Sequence, residues 1–420
     1  MNKNTRNIIV VVESIDVNRS SGAKMNVALI KNLAKIGYQL KVLHYSRKEI
    51  QLEGISCISI LEKKNTIYYY LSRLQRVFTR TTKIRLHKII ENNFGFSFAF
   101  FNDTNSIKNA VLKEINTTTH FVLTLSQGAS FRPHYAVLQL PELHSKWLAY
   151  IHDPYPFIYY PPPYDWLEPG YKQKINFFKE LSEKAKYTAF PSKLLKEWMG
   201  NYFSNMLTTG IVIPHQNAAI ETNDIKLPNY FSTKKFTLLH AGNLMKQRNP
   251  KGLLEGFLLF LKNNKNANKE VQLLLLGAAD YHQKLLDKYD SVNQIFLKTS
   301  NTNFNEVYKM QQQASVNIIL EAKAEVSPFL PGKFPHCVMA NKPILHLGPI
   351  KSETMRLLGK NYLYHSEIDD VITIANIIEK LYKQWKEHKN EFLLNRPDLL
   401  DYVSEPELKR VFTKLDVSYE

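Results

Sequence analysis

Cysteine is nearly absent from this chain. Of 420 residues only Cys57 and Cys337 carry a thiol, and they stand far apart. Two distant cysteines make neither a disulfide framework nor a thiolate zinc site, and the pattern fits a reducing compartment. Long apolar runs are missing too: nothing reaches the ~18 consecutive apolar residues of a membrane-spanning helix. The run nearest the N-terminus, Ile8–Val12, is too short for the core of a signal peptide. There is no Walker lysine loop, no G-x-G-x-x-G, no G-x-S-x-G and no RNP-type aromatic run. The 13 histidines fall in no frame that pairs them with carboxylates as metal ligands. These absences predict a cytoplasmic, non-spanning protein with no metal and no resident cofactor.

The remaining composition is that of a globular chain. Apolar residues make up 44%, with 15 glycines and 19 prolines, and the length suffices for two domains with full cores. The formal net charge is +17, and it is uneven. Residues 1–215 hold 28 Lys/Arg against 15 Asp/Glu, whereas residues 216–420 hold 27 against 23. A basic surface attracts nucleic acid, an anionic bilayer or phosphorylated substrates, and charge alone does not choose among them.

Strand and helix signals alternate. Ile8–Val12 reads as a buried strand, 23–36 as a helix stopped by Gly37, and Gln39–His44 as a second strand. Further strands are predicted at 121–125, 147–151, 187–190 and 211–213, with helices near 133–140, 171–186 and 192–199. A polar, turn-rich linker, 215–235, follows. A second set then restarts, with strands at 236–240, 271–276, 295–298, 316–320 and 343–347 and helices at 250–263, 303–313 and 371–388. This pattern predicts two α/β Rossmann-like domains facing a central cleft: an acceptor-side domain 1–214 and a donor domain 236–395. A C-terminal helical segment, 396–420, would pack back on the first domain.

Several stretches carry candidate chemistry. Ser327-Pro-Phe-Leu-Pro-Gly332-Lys333-Phe-Pro-His336 reads as a turn opening a helix, where unpaired N–H groups and Lys333 would cradle a phosphate. A Pro/Gly-rich turn with a solvated lysine is the plainer alternative. Gly22, in Ser20-Ser-Gly-Ala-Lys24, lets backbone approach a ligand, or simply follows a capping serine. His152 ends a central strand, where a histidine can meet a sugar hydroxyl or a phosphate, or can be a satisfied core residue. Arg248, in Ala241-Gly242-Asn243-Leu-Met-Lys-Gln-Arg248-Asn-Pro250, stands where a guanidinium can grip a phosphate at two points. Between Glu62 and Glu91 there are eight Lys/Arg and no acid. On a helical projection Arg73, Arg76, Arg80 and Lys83 share one face, and Ile67, Leu71, Leu74 and Phe78 lie nearly opposite, as in a membrane-surface helix. A solvated helix packed on the domain would also give this pattern.

The order of these motifs resembles the GT-B glycosyltransferases, and within them the retaining group called glycosyltransferase family 4. The resemblance spans nearly the whole chain. It rests most on Ala241–Pro250, on Ala314–Glu321, and on Phe329–Lys333 through Ala340–Pro349. It implies transfer of a hexosyl or related sugar from a nucleotide-sugar donor, such as a UDP-sugar, to a cell-envelope glycan or lipid-linked acceptor, with retention. The setting would be polysaccharide or lipopolysaccharide biosynthesis at the inner membrane face, where the protein would be peripheral and Arg73, Arg76, Arg80 and Lys83 would touch an anionic membrane surface. No nucleic-acid partner is expected. By resemblance Arg248 and Lys333 hold the donor diphosphate and His152 stands near the transferred sugar, as the catalytic set. Gly22, Gly242, Asn243, Leu297, Lys298, Glu321, Ser327, Gly332 and His336 line the donor. Relatives often carry two glutamates at the frames held here by Pro328 and His336, and a second basic residue where this chain has Asn243. Alternatives are a sugar-nucleotide 2-epimerase or an inactive GT-B binding scaffold, with a nucleic-acid-binding protein supported by charge alone.

Overall fold

The computed structural model describes every residue except 1–5, 19, 218–219, 221, 301, 389–390 and 418–420. The polar lead-in at residues 1–5 therefore lies outside the described residues. The chain divides into two compact units.

The first unit runs to Tyr160, resumes over Asp165–Gln216 and takes up the chain again from Glu405. Its strands are β1 (Asn7–Val12), β2 (Gln39–His44), β3 (Ser56–Ser59), β4 (Thr119–Leu125), β5 (Trp147–Tyr150), β6 (Tyr187–Phe190) and β7 (Gly210–Val212). They form one sheet in the order β3-β2-β1-β4-β5-β6-β7, every pair parallel. Val10, Val11 and Val12 of β1 are wholly buried, as expected of a strand covered by helices on both faces. Helix Ser21–Lys35 starts where Ser20 Oγ accepts the Ala23 N–H at 3.1 Å. The last helix, Glu405–Val417, packs against it and buries Leu408, Phe412 and Leu415 in the core on this side of the sheet.

The second unit comprises Pro161–Tyr164 and Asn217–Ser404. Its strands are β8 (Phe236–Ala241), β9 (Val271–Leu276), β10 (Ile295–Lys298), β11 (Val316–Leu320), β12 (Ile344–Leu347) and β13 (His365–Ser366). The order is β10-β9-β8-β11-β12-β13, again all parallel. In each unit the strand order reverses beside the first strand, between β1 and β4 and between β8 and β11. Ligands of open α/β sheets bind outside the carboxyl ends at such switch points. The stretch 215–235, read from sequence as a linker, places its residues from Asn217 on in this unit, where Phe231 is buried beside Leu239 and Leu274. Within 396–420, the helix Pro397–Tyr402 lies in the second unit and Glu405–Val417 in the first.

The sequence misses four-residue β3, two-residue β13 and the helix Phe98–Glu114. That helix buries Asn102, Asp103, Thr104 and Ser106 among Phe100, Ile107 and Val111, which breaks up its apolar periodicity.

Candidate functional site

In the second unit, three motif residues meet at the carboxyl end of β8. The strand runs out at Ala241, and Gly242 N–H extends the ladder to Leu276 O at 2.8 Å. Lys333 precedes the helix Phe334–Met339, and its ammonium donates to His240 Nδ1 at 3.2 Å. A Cβ on Gly242 would stand 2.8 Å from Lys333 Nζ, closer than side chains tolerate, so glycine is what admits the lysine. Gly277, at φ +136, backs this turn; a Cβ there would meet Gly242 O at 2.5 Å. Arg248 follows in a loop closed by its own N–H to Met245 O at 2.8 Å. Its Nε is buried with no hydrogen-bond partner.

The electrostatics tie these groups together. Burial lowers the Lys333 ammonium to about pKa 7, and repulsion from Arg248 adds to the effect while the Glu321 carboxylate opposes it. Burial, then Lys333, then Arg248 hold His240 well below its ordinary range, so it stays neutral and accepts from the ammonium. Among the described residues neither Lys333 nor Arg248 forms an ion pair. His240 stands just before the motif Ala241–Pro250, and nothing in its spacing separates it from a core histidine.

Other expected donor residues are engaged elsewhere. Glu321 Oε1 accepts from His346 Nε2 at 2.9 Å and from Thr354 Oγ1 at 2.6 Å, and its Oε2 accepts from Ser327 Oγ. Burial alone would raise its pKa, but these hydrogen bonds outweigh burial and hold it below the usual value. Ser327 therefore has its one hydroxyl proton committed to Glu321, and Glu321 is a saturated buried hub rather than an open sugar ligand. His346 Nδ1 continues the chain to His365 Nδ1 at 3.0 Å. Burial, then His346, lower His365 to about 4. Asn243 Oδ1 accepts the Ala278 N–H at 3.2 Å, fixing the turn beside Gly242. His336 Nδ1 meets Asn217 Oδ1 at 3.1 Å, with its ring against Phe304 and Tyr308 at 5.4 Å each. Leu297 and Lys298 end β10, two strands from β8, and the Lys298 carbonyl is occupied by Gly277 N–H at 2.9 Å. Gly332 lies in the turn closed by Phe334 N–H on Pro331 O at 2.8 Å. The helix that follows has only six residues, so the local positive potential comes from the two side chains more than from a helix dipole.

In the first unit, His152 stands beyond β5 and is 5% exposed. Asn26 Nδ2 donates to Ser126 O at 3.2 Å, which turns Asn26 Oδ1 toward His152 Nε2 at 2.7 Å. His152 therefore carries its proton on Nε2 and keeps a lone pair on Nδ1, which has no partner. Burial, then His215 and His134, keep it neutral, with its pKa well below the ordinary value. The His215 ring stacks on it with centroids 5.3 Å apart. Sequence spacing gives no sign of Asn26 or His215 as its neighbours. Gly22 is accounted for by packing: a Cβ there would meet Gln127 Cγ at 3.0 Å, and Gln127 Nε2 in turn donates to Ser20 Oγ at 2.8 Å. The space read as room for a ligand is filled by the protein. Arg73, Arg76, Arg80 and Lys83 lie exposed on or just past the helix Ile67–Thr82.

No family model matches the chain. No curated protein sequence matches it either. Solved structures do. The N-terminal domain of trehalose-6-phosphate phosphatase from Candida albicans is 12% identical over 99% of this chain and 97% of its own, with a TM-score of 0.62. A UDP-forming α,α-trehalose-phosphate synthase from Burkholderia xenovorans is 11% identical over 98% of each chain, at 0.61. HepE of Anabaena, solved with UDP and glucose, is 9% identical over 98% of this chain and 100% of its own, at 0.59. At these identities the likeness is one of fold: two Rossmann-like α/β domains in the GT-B manner.

Proposed function

We propose that this chain is a glycosyltransferase that takes its sugar from a nucleotide-sugar donor held at the carboxyl edge of the second unit. One observation carries the reading. Lys333 and Arg248 lie near enough to repel each other, are partly withdrawn from water, and have no carboxylate partner among the described residues. Like charges kept together in this way raise the free energy of the empty site and make it a receptor for a doubly charged anion such as a diphosphate. The neighbours of the same fold include a protein solved with UDP and glucose. When the bond between the sugar's anomeric carbon and the phosphate oxygen breaks, negative charge grows on the leaving diphosphate, and the two cations stabilise it. The acceptor hydroxyl loses its proton to that phosphate on the same face of the sugar, so the reaction needs no side-chain base and retains configuration. His152 is neutral with an unpartnered Nδ1 lone pair, and that nitrogen is closed to solvent in this structure.

A cell-envelope glycan or lipid-linked acceptor at the inner membrane face agrees with the basic excess of the first half of the chain. A sugar phosphate is the competing acceptor class, since another B. xenovorans trehalose-phosphate synthase of this fold was solved with glucose-6-phosphate. The second functional reading, an epimerase or an inactive binding scaffold, is favoured by Glu321. Hydrogen bonds to His346, Thr354 and Ser327 occupy this carboxylate, the one that acts on Lys333.

A thermal-shift screen of nucleotide sugars tests donor binding, because a ligand selective for the native state raises Tm by mass action. Transfer from the stabilising donor to glucose-6-phosphate or to a lipid-linked glycan then separates the acceptor classes. Arg248→Ala and Lys333→Ala should each lower transfer by about a hundredfold or more without a fall in Tm. Full activity in both variants overturns the proposal, and epimer formation without acceptor supports the second reading.

A further inference from the structure

The helix Ile67–Thr82 is built the wrong way round for a soluble surface helix. It lies against the helix Phe98–Glu114, and Ser72 is its one buried residue. Tyr68 anchors its start on Phe98 and Phe101, with centroids 6.4 and 5.3 Å apart. Its apolar residues face solvent instead: Ile67 is 71% exposed, Leu74 66% and Val77 57%. Tyr70 and Phe78 join them at helical spacing. Further along the chain Ile84, Ile89 and Phe94 are exposed as well. Of the 21 large apolar residues exposed among the described residues, ten lie between Leu61 and Phe94. An ordinary surface helix buries such a stripe and shows its polar side.

The charge says what covers this stripe. Eight Lys/Arg and no acid lie between Glu62 and Glu91. Arg73 reaches back to Glu62 at 3.4 Å, but among the described residues Arg76, Arg80 and Lys83 form no ion pair. A second copy of the chain would bring like charges face to face. An anionic bilayer offers an apolar interior to the stripe and negative headgroups to the flanking cations, whose alkyl stems can lie along apolar surface while the charges stay wet.

We infer that Leu61–Phe94 is a docking surface for an anionic lipid bilayer. It stands independently of the sugar transferred, because vesicle binding is measured without any nucleotide sugar. The test is sedimentation of the full chain with vesicles of phosphatidylglycerol and phosphatidylcholine, against vesicles of phosphatidylcholine alone. The protein should partition onto the anionic vesicles, and more weakly as salt rises. Leu74→Ser with Phe78→Ser should lower partitioning at least tenfold. Arg76→Gln with Arg80→Gln should lower it roughly thirtyfold, from about 1 kcal/mol per charge. All four positions are exposed, so both variants should keep the wild-type melting curve, which circular dichroism checks. Absence of binding to anionic vesicles, equal binding to neutral ones, or wild-type partitioning in both variants overturns the inference. So does a self-association in sedimentation velocity that Leu74→Ser with Phe78→Ser abolishes.

Discussion

A lysine held to about pKa 7 beside an arginine would make nucleotide binding at this site a proton-linked event. In the free protein Lys333 is charged below that value and increasingly neutral above it. A bound diphosphate favours the ammonium and lifts its pKa toward the ordinary lysine value, so binding above pH 7 takes up as much as one proton. The sign follows. Below about pH 7 affinity for UDP should be flat in this group. Above it, each pH unit should weaken binding by up to tenfold, about 1.4 kcal/mol. From pH 7 to 9 the loss should be on the order of fiftyfold. UDP titrations by calorimetry at pH 7, 8 and 9, in two buffers of different ionisation enthalpy, read both affinity and proton uptake. Lys333→Met should bind weakly and without the slope. A pH-independent affinity with no proton uptake, or a slope that survives in Lys333→Met, refutes the reasoning. The same shift acts on the unliganded fold: the charged form is disfavoured in the native state, so this residue's contribution to stability improves as pH rises from about 7 toward the ordinary value of 10.5.

Three further outcomes can be checked. Gly242→Ala should displace Lys333, whose Nζ lies 2.8 Å from the new methyl, and weaken UDP binding tenfold or more with little change in Tm. Glu321→Gln cannot accept from His346, Thr354 and Ser327 together and should lose about 3 kcal/mol in urea unfolding at pH 7. Because the Glu321 pKa is depressed, its contribution is present above the ordinary carboxyl range and vanishes as pH falls through the lowered value, so mutant and wild type should converge in acid. Phe412→Ala removes a ring set against Tyr38 and Phe121 at 5.3 and 6.4 Å and should cost about 3–5 kcal/mol, read as a fall in the unfolding midpoint of the first unit.

The sheets were legible because parallel strands covered on both faces read as unbroken apolar runs. Ile8–Val12, five consecutive apolar residues all buried, is the clearest case. Short edge strands such as β3 and β13 lack that run. The helix Phe98–Glu114 hides behind buried Asn102, Asp103, Thr104 and Ser106, which interrupt the apolar stripe of Phe100, Ile107 and Val111. At the candidate site, Gly242 was readable as the turn that ends a strand, Arg248 as part of the loop after it and Lys333 as the residue that opens a helix, places where α/β folds bind anions. The partners of the histidines were not. His240 and His152 are set by neighbours nearly a hundred or more positions away, Lys333 and Asn26, and no local spacing encodes such pairs. Glu321 and Ser327 carry the right chemistry for a ligand, but the fold satisfies them with one another and with His346, 25 positions from Glu321.

The residues that close one side of the first unit's core follow the whole second unit in the chain. Gln216 leaves that unit, the whole second sheet follows, and only then does the chain supply Leu408, Phe412 and Leu415. During synthesis the first sheet must wait roughly 190 residues for its missing cover, about 10–40 s at ordinary elongation rates. For that interval Val27 and Leu29, with Tyr38 at their margin, present an uncapped apolar surface on the ribosome. A chaperone that holds nascent apolar surface should therefore engage this polypeptide while the second unit is being made, and release it only once the helix Glu405–Val417 has emerged.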